Sequence, residues 1–299
     1  MKIAIVGAGG LLGQEIWKLY SETSHTLMAL GRQKPAFLSN SQWTSCDISD
    51  SQNTYSVVTK YNPDILINCA AYNQVDQAES SPDSAFKING LGPRNLALAC
   101  QRFDTFLITV STDYVFDGTK SGKEGYREID AVHPINIYGE SKWWGESQVE
   151  KLLHRYLIIR TSWLFGPSRN TYVDSVVQWA KENQPIPCVH DMISSPTSVV
   201  DLSQAMVKLI DSKHFGLYHL SNEGFCSRTE LAQEILHMSG IGNYPHLHSV
   251  SQAELKLPAK RPTFSALANW AWRLDGFDRL RSWKEALHDH FIHRKVGIS

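Results

Sequence analysis

The amino-acid sequence predicts an α/β fold: a doubly wound parallel sheet followed by a smaller, less regular α/β lobe. Three observations carry that expectation. Short apolar runs alternate with longer amphipathic ones through residues 1–165, a glycine-rich turn separates the first apolar run from the first amphipathic stretch, and the rhythm changes after Gly166-Pro167.

The apolar runs are residues 2–6, 25–30, 43–46, 64–69, 105–110 and 156–160. Each has strand length, and most of the intervals between them are long enough for a crossover helix, which makes the sheet parallel. Residues 11–20, 51–61, 84–102 and 139–153 carry apolar side chains at helical spacing, with start signals at Asp50-Ser51 and Ser81-Pro82-Asp83. Beyond residue 166 the pattern predicts helices over 172–182 and 202–211, a strand at 216–220, and helices over 228–238 and 283–293. The proline-bearing joints at Pro185-Ile186-Pro187 and from Pro258 to Pro262 are short and flanked by apolar residues, so they read as loops and not as flexible linkers. The division is therefore 1–165 and 166–299, with some later segments returning to the first unit and no expectation that the two fold independently.

Composition narrows the function classes. In 299 residues, 29 Lys plus Arg against 30 Asp plus Glu leave a formal charge of −1, so no long-range field attracts nucleic acid or an anionic membrane. Apolar residues at 42% and charged residues at 20% fit a folded globular chain. The cysteines (46, 69, 100, 188 and 226) are odd in number, widely spaced and never CxxC, which argues against a disulfide framework or a zinc site. They are expected to be reduced and buried. With no apolar run long enough for a signal-peptide core or a membrane helix, the expected compartment is the cytoplasm.

Gly7-Ala8-Gly9-Gly10-Leu11-Leu12-Gly13 follows the first strand and opens the first helix, where backbone N–H groups meet a dinucleotide pyrophosphate. Its glycines at 7, 10 and 13 follow a GxxGxxG spacing, not the commoner GxGxxG. Taken alone, such a cluster is as often a tight turn; strand before and helix after favour a nucleotide. The second strand ends in Arg32, where an NAD-selective site places an acid, and a guanidinium there suits a 2′-phosphate. NADPH is thus the favoured cofactor, with NADH still admitted and a solvated surface arginine the competing reading. Asp47-Ile48 is placed for the adenine edge, and Ala70, Ala71 and Tyr72 for the close passage of backbone beside a cofactor.

Tyr138 and Lys142 stand four residues apart on one helical face. Lowering a phenol from about 10 to about 7 takes roughly 4 kcal/mol, which an ammonium about 4 Å away supplies at an effective dielectric of about 20. The spacing therefore predicts an acidified tyrosine; the competing reading is a surface helix pair. Thr112, in Ser111-Thr112-Asp113 at the carboxyl edge of the fifth strand, is placed to donate to a carbonyl that Tyr138 protonates. His288, His290 and His293 invite a metal reading, but residues two apart face different sides of a helix, so a solvated terminal face is expected and no metal ligand is assigned.

These residues resemble the extended short-chain dehydrogenase/reductases and, within them, the dTDP-4-dehydrorhamnose reductase family. The likeness spans nearly the whole chain. It is carried by the glycine turn, Asn68 through Glu79, the STDYVFDG run from Ser111, the YGESKWWGE run from Tyr138, Arg160-Thr161-Ser162-Trp163, Ser195-Pro196-Thr197 and Arg261-Pro262. The resemblance implies a Rossmann-like dinucleotide-binding unit with a substrate-binding lobe, and a catalytic set of Thr112, Tyr138 and Lys142 that reduces the 4-keto group of a dTDP-sugar. It further implies that Lys142 holds the nicotinamide ribose and that Asp113 and Trp163 lie against the sugar nucleotide. Some members form dimers around Mg²⁺; Glu15 matches one such position, and the rest of the magnesium set is not recognisable, so metal and homodimer stay open. Cys69, Tyr72 and residues 191–194 depart from the family pattern, which leaves a related nucleotide sugar, as in a dTDP-dihydrostreptose synthase, as an alternative substrate. A non-catalytic nucleotide-binding regulatory subunit is the alternative of a different class, and the intact Tyr138-Lys142 pair weighs against it. Trp143-Trp144 and Asn269-Trp270-Ala271-Trp272 read as core or interface aromatics.

Overall fold

A computed structural model of the chain describes residues 1–120 and 124–296, with side chains described through residue 292. In the first unit the chain runs β1 (Lys2–Val6), α1 (Leu11–Ser21), β2 (Thr26–Gly31), β3 (Trp43–Ser45), α2 (Ser51–Tyr61), β4 (Ile65–Asn68), α3 (Val75–Ser80), α4 (Pro82–Ala85), α5 (Gly92–Gln101), β5 (Phe106–Thr112), α6 (Ile137–Leu152) and β6 (Tyr156–Thr161). It continues through β7 (Leu164–Phe165), α7 (Tyr172–Lys181), β8 (Ile186–Val189), β9 (Ile193–Ser194), β10 (Thr197–Ser198), α8 (Val199–Asp211) and β11 (Gly216–His219). The last segments are β12 (Cys226–Ser227), α9 (Arg228–Met238), β13 (Leu247–Val250), α10 (Gln252–Leu255), α11 (Trp270–Leu274) and α12 (Trp283–Val296).

Seven strands form one sheet in the order β11-β6-β5-β4-β1-β2-β3, every pairing parallel. The strands are apolar on both faces because both faces are covered. Ile3, Ile5, Ile67 and Ile108 pack on one side with Leu12, Ile16 and Tyr20 of α1 and Leu202 and Leu209 of α8. Ala4, Leu66 and Leu107 pack on the other with Val58 of α2, Leu96 of α5 and Val149 of α6. This is the doubly wound α/β sheet the alternation predicts. A third core, built around Val176, Ile186, Leu231, Ile235 and Leu287, joins α7, β8, α9 and α12 into the smaller lobe.

Three details differ from the expectation. The helix predicted over 84–102 is interrupted by a π-helical turn at Phe86–Leu91, where Gly90 lets the Trp144 ring approach so closely that a Cβ would lie 2.4 Å from it. β5 continues to Thr112, so the Ser111 and Thr112 hydroxyls sit on strand and not in the following loop. The expected solvated face of α12 is overturned at His290, which is buried against Phe165 with Nε2 3.7 Å from Asp174 Oδ1; the side chain of His293 lies outside the described residues. His288 remains exposed. No described helix is long and apolar enough to cross a membrane.

Candidate active site

Two adjoining cavities open along the carboxyl edge of the sheet, of about 830 and 630 Å³, and they share Gly10, Cys69, Ala71, Asn73 and Arg169 at their junction. The larger is lined by Gly7, Gly10, Arg32, Asp47, Ile48, Ala70 and Ala71. Gly7 has φ +76°, and a Cβ there would sit 2.9 Å from the Ala70 nitrogen; at Gly13 a Cβ would fall 2.3 Å from the Gly7 carbonyl oxygen. The turn is therefore drawn tight by two positions that admit no side chain. It delivers the start of α1 to the cavity with no side-chain cap on Gly10, leaving the first helical N–H groups for an anion. The Asp47 carboxylate accepts from the Ser49 backbone and hydroxyl at 3.0 and 2.7 Å, fixing the turn after β3 at the cavity wall. Arg32 is exposed and lines the same cavity with Lys34. A tight backbone cradle, an uncapped helix start and cationic side chains fit a phosphorylated dinucleotide; Leu11 and Leu12, next along α1, line the smaller cavity. Tyr72 departs from this set: its backbone N–H donates to Asn89 Oδ1 at 2.8 Å and its carbonyl accepts from Asn89 Nδ2 at 3.0 Å, while its side chain lines neither cavity.

The smaller cavity brings together Thr112 and Asp113 from the end of β5, Tyr138 and Lys142 from α6, and Trp163 after β6. Asn136 caps α6 by accepting from the Gly139 N–H at 2.8 Å, and Gly139 lets the helix start press on the Tyr114 carbonyl, 2.1 Å from where a Cβ would stand. The next turn carries Lys142 under the sheet edge, where its ammonium donates to the Val110 carbonyl at 2.5 Å. Burial lowers the Lys142 amine to about 8, against the opposing pull of Glu146. Burial also pushes the Tyr138 phenol above its ordinary value, and hydrogen bonding with Thr112 only partly offsets this. Against the expectation of an acidified phenol, desolvation dominates at Tyr138, while the Lys142 ammonium is engaged by the Val110 carbonyl. Tyr138 is held as a protonated donor.

The Thr112 hydroxyl donates to Asp113 Oδ1 at 3.2 Å and accepts from the Tyr114 N–H at 3.2 Å. Asp113 is buried and also accepts from Ser194 at 2.9 Å and Ser265 at 2.5 Å, both side chains that sequence reasoning missed. Despite those three donors, burial raises the Asp113 carboxyl to about 6. Trp163 sits at φ +42°, a left-handed conformation that a bulky residue adopts only under constraint. Its ring carries the Arg228 guanidinium at 3.6 Å from the centroid, so part of the surface expected to meet a sugar nucleotide is covered by this chain. The Ser111 and Thr161 hydroxyls and the Trp163 indole N–H, on residues that line the cavity, are buried without hydrogen-bond partners among the described residues.

Two buried polar contacts hold α6 in place. Arg160 of β6 donates to the Glu146 carboxylate of α6 through Nε at 3.0 Å and a terminal nitrogen at 2.7 Å, with both side chains 4% exposed. Asn89, placed by the π-helical turn, donates to Ser141 of α6 at 3.0 Å as well as to Tyr72. At the rim, Arg261 clamps Asp76 of α3 through two bonds of 3.0 and 2.6 Å, which draws the carboxyl below its usual range. Glu15 is buried on α1, and among the described residues no three His, Cys, Asp or Glu side chains converge on a metal position.

A parallel sheet with a glycine-cradled cavity at its carboxyl edge, opening onto a tyrosine and lysine one helical turn apart, defines a reductase of the short-chain dehydrogenase/reductase class. The chain belongs to the RmlD substrate binding domain family, whose model matches residues 1–295. It is 35% identical to the spore coat polysaccharide biosynthesis protein SpsK of Bacillus subtilis, over 98% of each chain. It is also 35% identical to the dTDP-4-dehydrorhamnose reductase of Mycobacterium tuberculosis H37Rv, covering 96% of this chain and 91% of that one. Among solved structures, the Bacillus anthracis dTDP-4-dehydrorhamnose reductase in complex with NADP superposes with a TM-score of 0.85 at 37% identity, over 98% of this chain and 99% of that one.

Proposed function

We propose that this protein reduces the 4-keto group of a dTDP-4-dehydro-6-deoxy sugar, converting dTDP-4-dehydro-β-L-rhamnose to dTDP-L-rhamnose with NADPH. The observation that carries the reading is the pair of adjoining cavities: the smaller, lined by Thr112, Tyr138, Lys142 and Trp163, meets the glycine-cradled one at Gly10, Cys69 and Ala71. The fit of the first cavity to a dinucleotide and the family membership support it, as do relatives that bear the name of this reductase.

When bound, NADPH supplies the hydride that the sugar C4 accepts. The chain supplies the rest. Tyr138 donates its phenolic proton to the carbonyl oxygen as negative charge develops there, a transfer that needs the tyrosine protonated beforehand, as burial ensures. Lys142, close to neutrality at about 8, stabilises the phenolate left behind, which is where its charge counts for catalysis. Thr112 lines the same cavity as Tyr138, and its hydroxyl is oriented by donating to Asp113 and accepting from the Tyr114 N–H. Arg32 is assigned to the 2′-phosphate. The proposal extends to a cytoplasmic enzyme, which its five free cysteines suit.

The direct test is oxidation of NADPH by the purified protein with a panel of dTDP-4-keto sugars, followed by sugar analysis of the product. Turnover yielding dTDP-L-rhamnose is the expected result. A protein that binds NADPH yet reduces none of the panel overturns the reading.

A further inference from the structure

Arg228 lies in the substrate cavity and is accounted for by nothing described so far. It occupies the first position of α9, where a cation opposes the helix macrodipole. The helix does not need it there, since Ser227 and Glu230 already form a capping box, with bonds of 2.7 and 3.1 Å between side chain and backbone. Nor is its charge neutralised by an ion pair: among the described residues no carboxylate comes within 4.0 Å of its guanidinium. Instead the guanidinium is stacked between two rings, 3.6 Å from the Trp163 centroid and 4.6 Å from that of Tyr172.

Such a sandwich immobilises the plane of a guanidinium that lines the cavity and makes no ion pair among the described residues, and a fixed fork suits bidentate recognition of phosphate oxygens. The arrangement is held at a cost, because Trp163 keeps a left-handed backbone to present its ring. Around it, Trp163 Nε1 and the Thr161 hydroxyl remain without partners in the same cavity. Asp113, an acid whose charge acts on Arg228, has its carboxylate committed to Ser194, Ser265 and Thr112.

We infer that Arg228, pinned between Trp163 and Tyr172, is the specificity residue that binds the diphosphate of the nucleotide portion of the substrate. It is therefore what separates a nucleotide-linked keto sugar from a free one. This rests on the proposed reading of the site as one for a nucleotide sugar and deepens it by assigning the residue that reads the charge.

The test compares wild type, Arg228→Met and Arg228→Lys in the NADPH-loaded full chain, measuring dTDP and thymidine binding by calorimetry alongside steady-state reduction. Arg228→Met is expected to weaken dTDP binding and raise substrate KM by roughly 10- to 100-fold, the scale of lost charge-assisted bonds, with kcat changed less than about threefold. Thymidine, which has no phosphate, is expected to bind both proteins within about twofold. Arg228→Lys, which retains charge without the stacked fork, is expected to fall between them and carries the test should the methionine variant fold poorly. Equal dTDP affinity in wild type and variants overturns the assignment, as does an equal loss of dTDP and thymidine, because the residue would then only shape the pocket. Should wild type itself bind dTDP no better than thymidine, the nucleotide-sugar reading fails and this assignment with it; wild-type dTDP binding that survives in the variants removes only the role of Arg228.

Discussion

The two halves of the cleft are built from different materials. The side proposed for the cofactor is made of backbone: a turn tightened by Gly7 and Gly13, the uncapped start of α1, and the segments after the strands at Arg32, Asp47 and Ala70. The side proposed for the substrate is made of side chains drawn from remote segments: Asp113 meets Ser194 and Ser265, and Arg228 meets Trp163 and Tyr172. A backbone cradle depends on a few local residues that permit a conformation, so it is compact in sequence. A side-chain pocket depends on distant elements being packed correctly, so it is also the more easily damaged by changes that touch no ligand.

Four substitutions press on that contrast, beyond the Arg228 series. The largest expected effect is in the smaller cavity: Tyr138→Phe should lower kcat about 10²- to 10⁴-fold while NADPH and dTDP affinities stay within about threefold, by stopped-flow and calorimetry. Retention of a near wild-type rate would remove the assigned acid. Next, Arg160→Leu leaves Glu146 buried without its partner and should destabilise the chain by about 3–5 kcal/mol in urea melts, with catalysis failing before NADPH binding as α6 loosens. Loss of both functions together would deny that the two halves differ in vulnerability.

Asp113→Asn is a smaller, pH-dependent change. In the folded chain the carboxyl titrates at about 6, whereas an unfolded aspartate does so near 3.8. The folded state thus keeps a proton that the unfolded chain has released, and wild-type stability should fall as pH rises from about 4 to 6, by roughly 3 kcal/mol at about 1.4 per unit. Asparagine does not titrate, so the Tm of the variant should gain on that of wild type across this interval; a constant gap from pH 4 to 7 would contradict a buried, proton-retaining Asp113. The mildest expected effect belongs to the cofactor side. Arg32 is exposed, and Arg32→Ala should raise the NADPH KM roughly tenfold while moving the NADH KM less than about twofold. Equal shifts for both cofactors would free Arg32 from any 2′-phosphate role.

Much of the fold was legible because it depends on local periodicity. The strand and helix alternation, the glycine turn and the spacing of Tyr138 and Lys142 are properties of neighbouring residues, and the structure places them at one sheet edge. What escaped sequence reasoning shares a different property. Asn89 acts only because a π-helical turn swings it toward Tyr72 and Ser141; a departure from the 3.6-residue repeat has no pattern of its own. Ser194 and Ser265 are 71 residues apart in numbering and meet on one carboxylate. His290 looked like one of a polar trio on a terminal helix, but the lobe folds back to bury it against Phe165. The sequence did hold one clue to Arg228: an arginine directly after a serine cap, where the helix macrodipole disfavours it.

By itself, then, the sequence determined the parallel α/β framework, the glycine turn at its carboxyl edge and the one-turn spacing of a tyrosine and a lysine, because apolar periodicity, glycine permissiveness and helical pitch act within a few residues. Only the tertiary structure decided the protonation of that phenol, the burial of Asp113 and the caging of Arg228. Each of these depends on how much water is excluded and which charges are brought near, quantities that exist only once distant segments have packed.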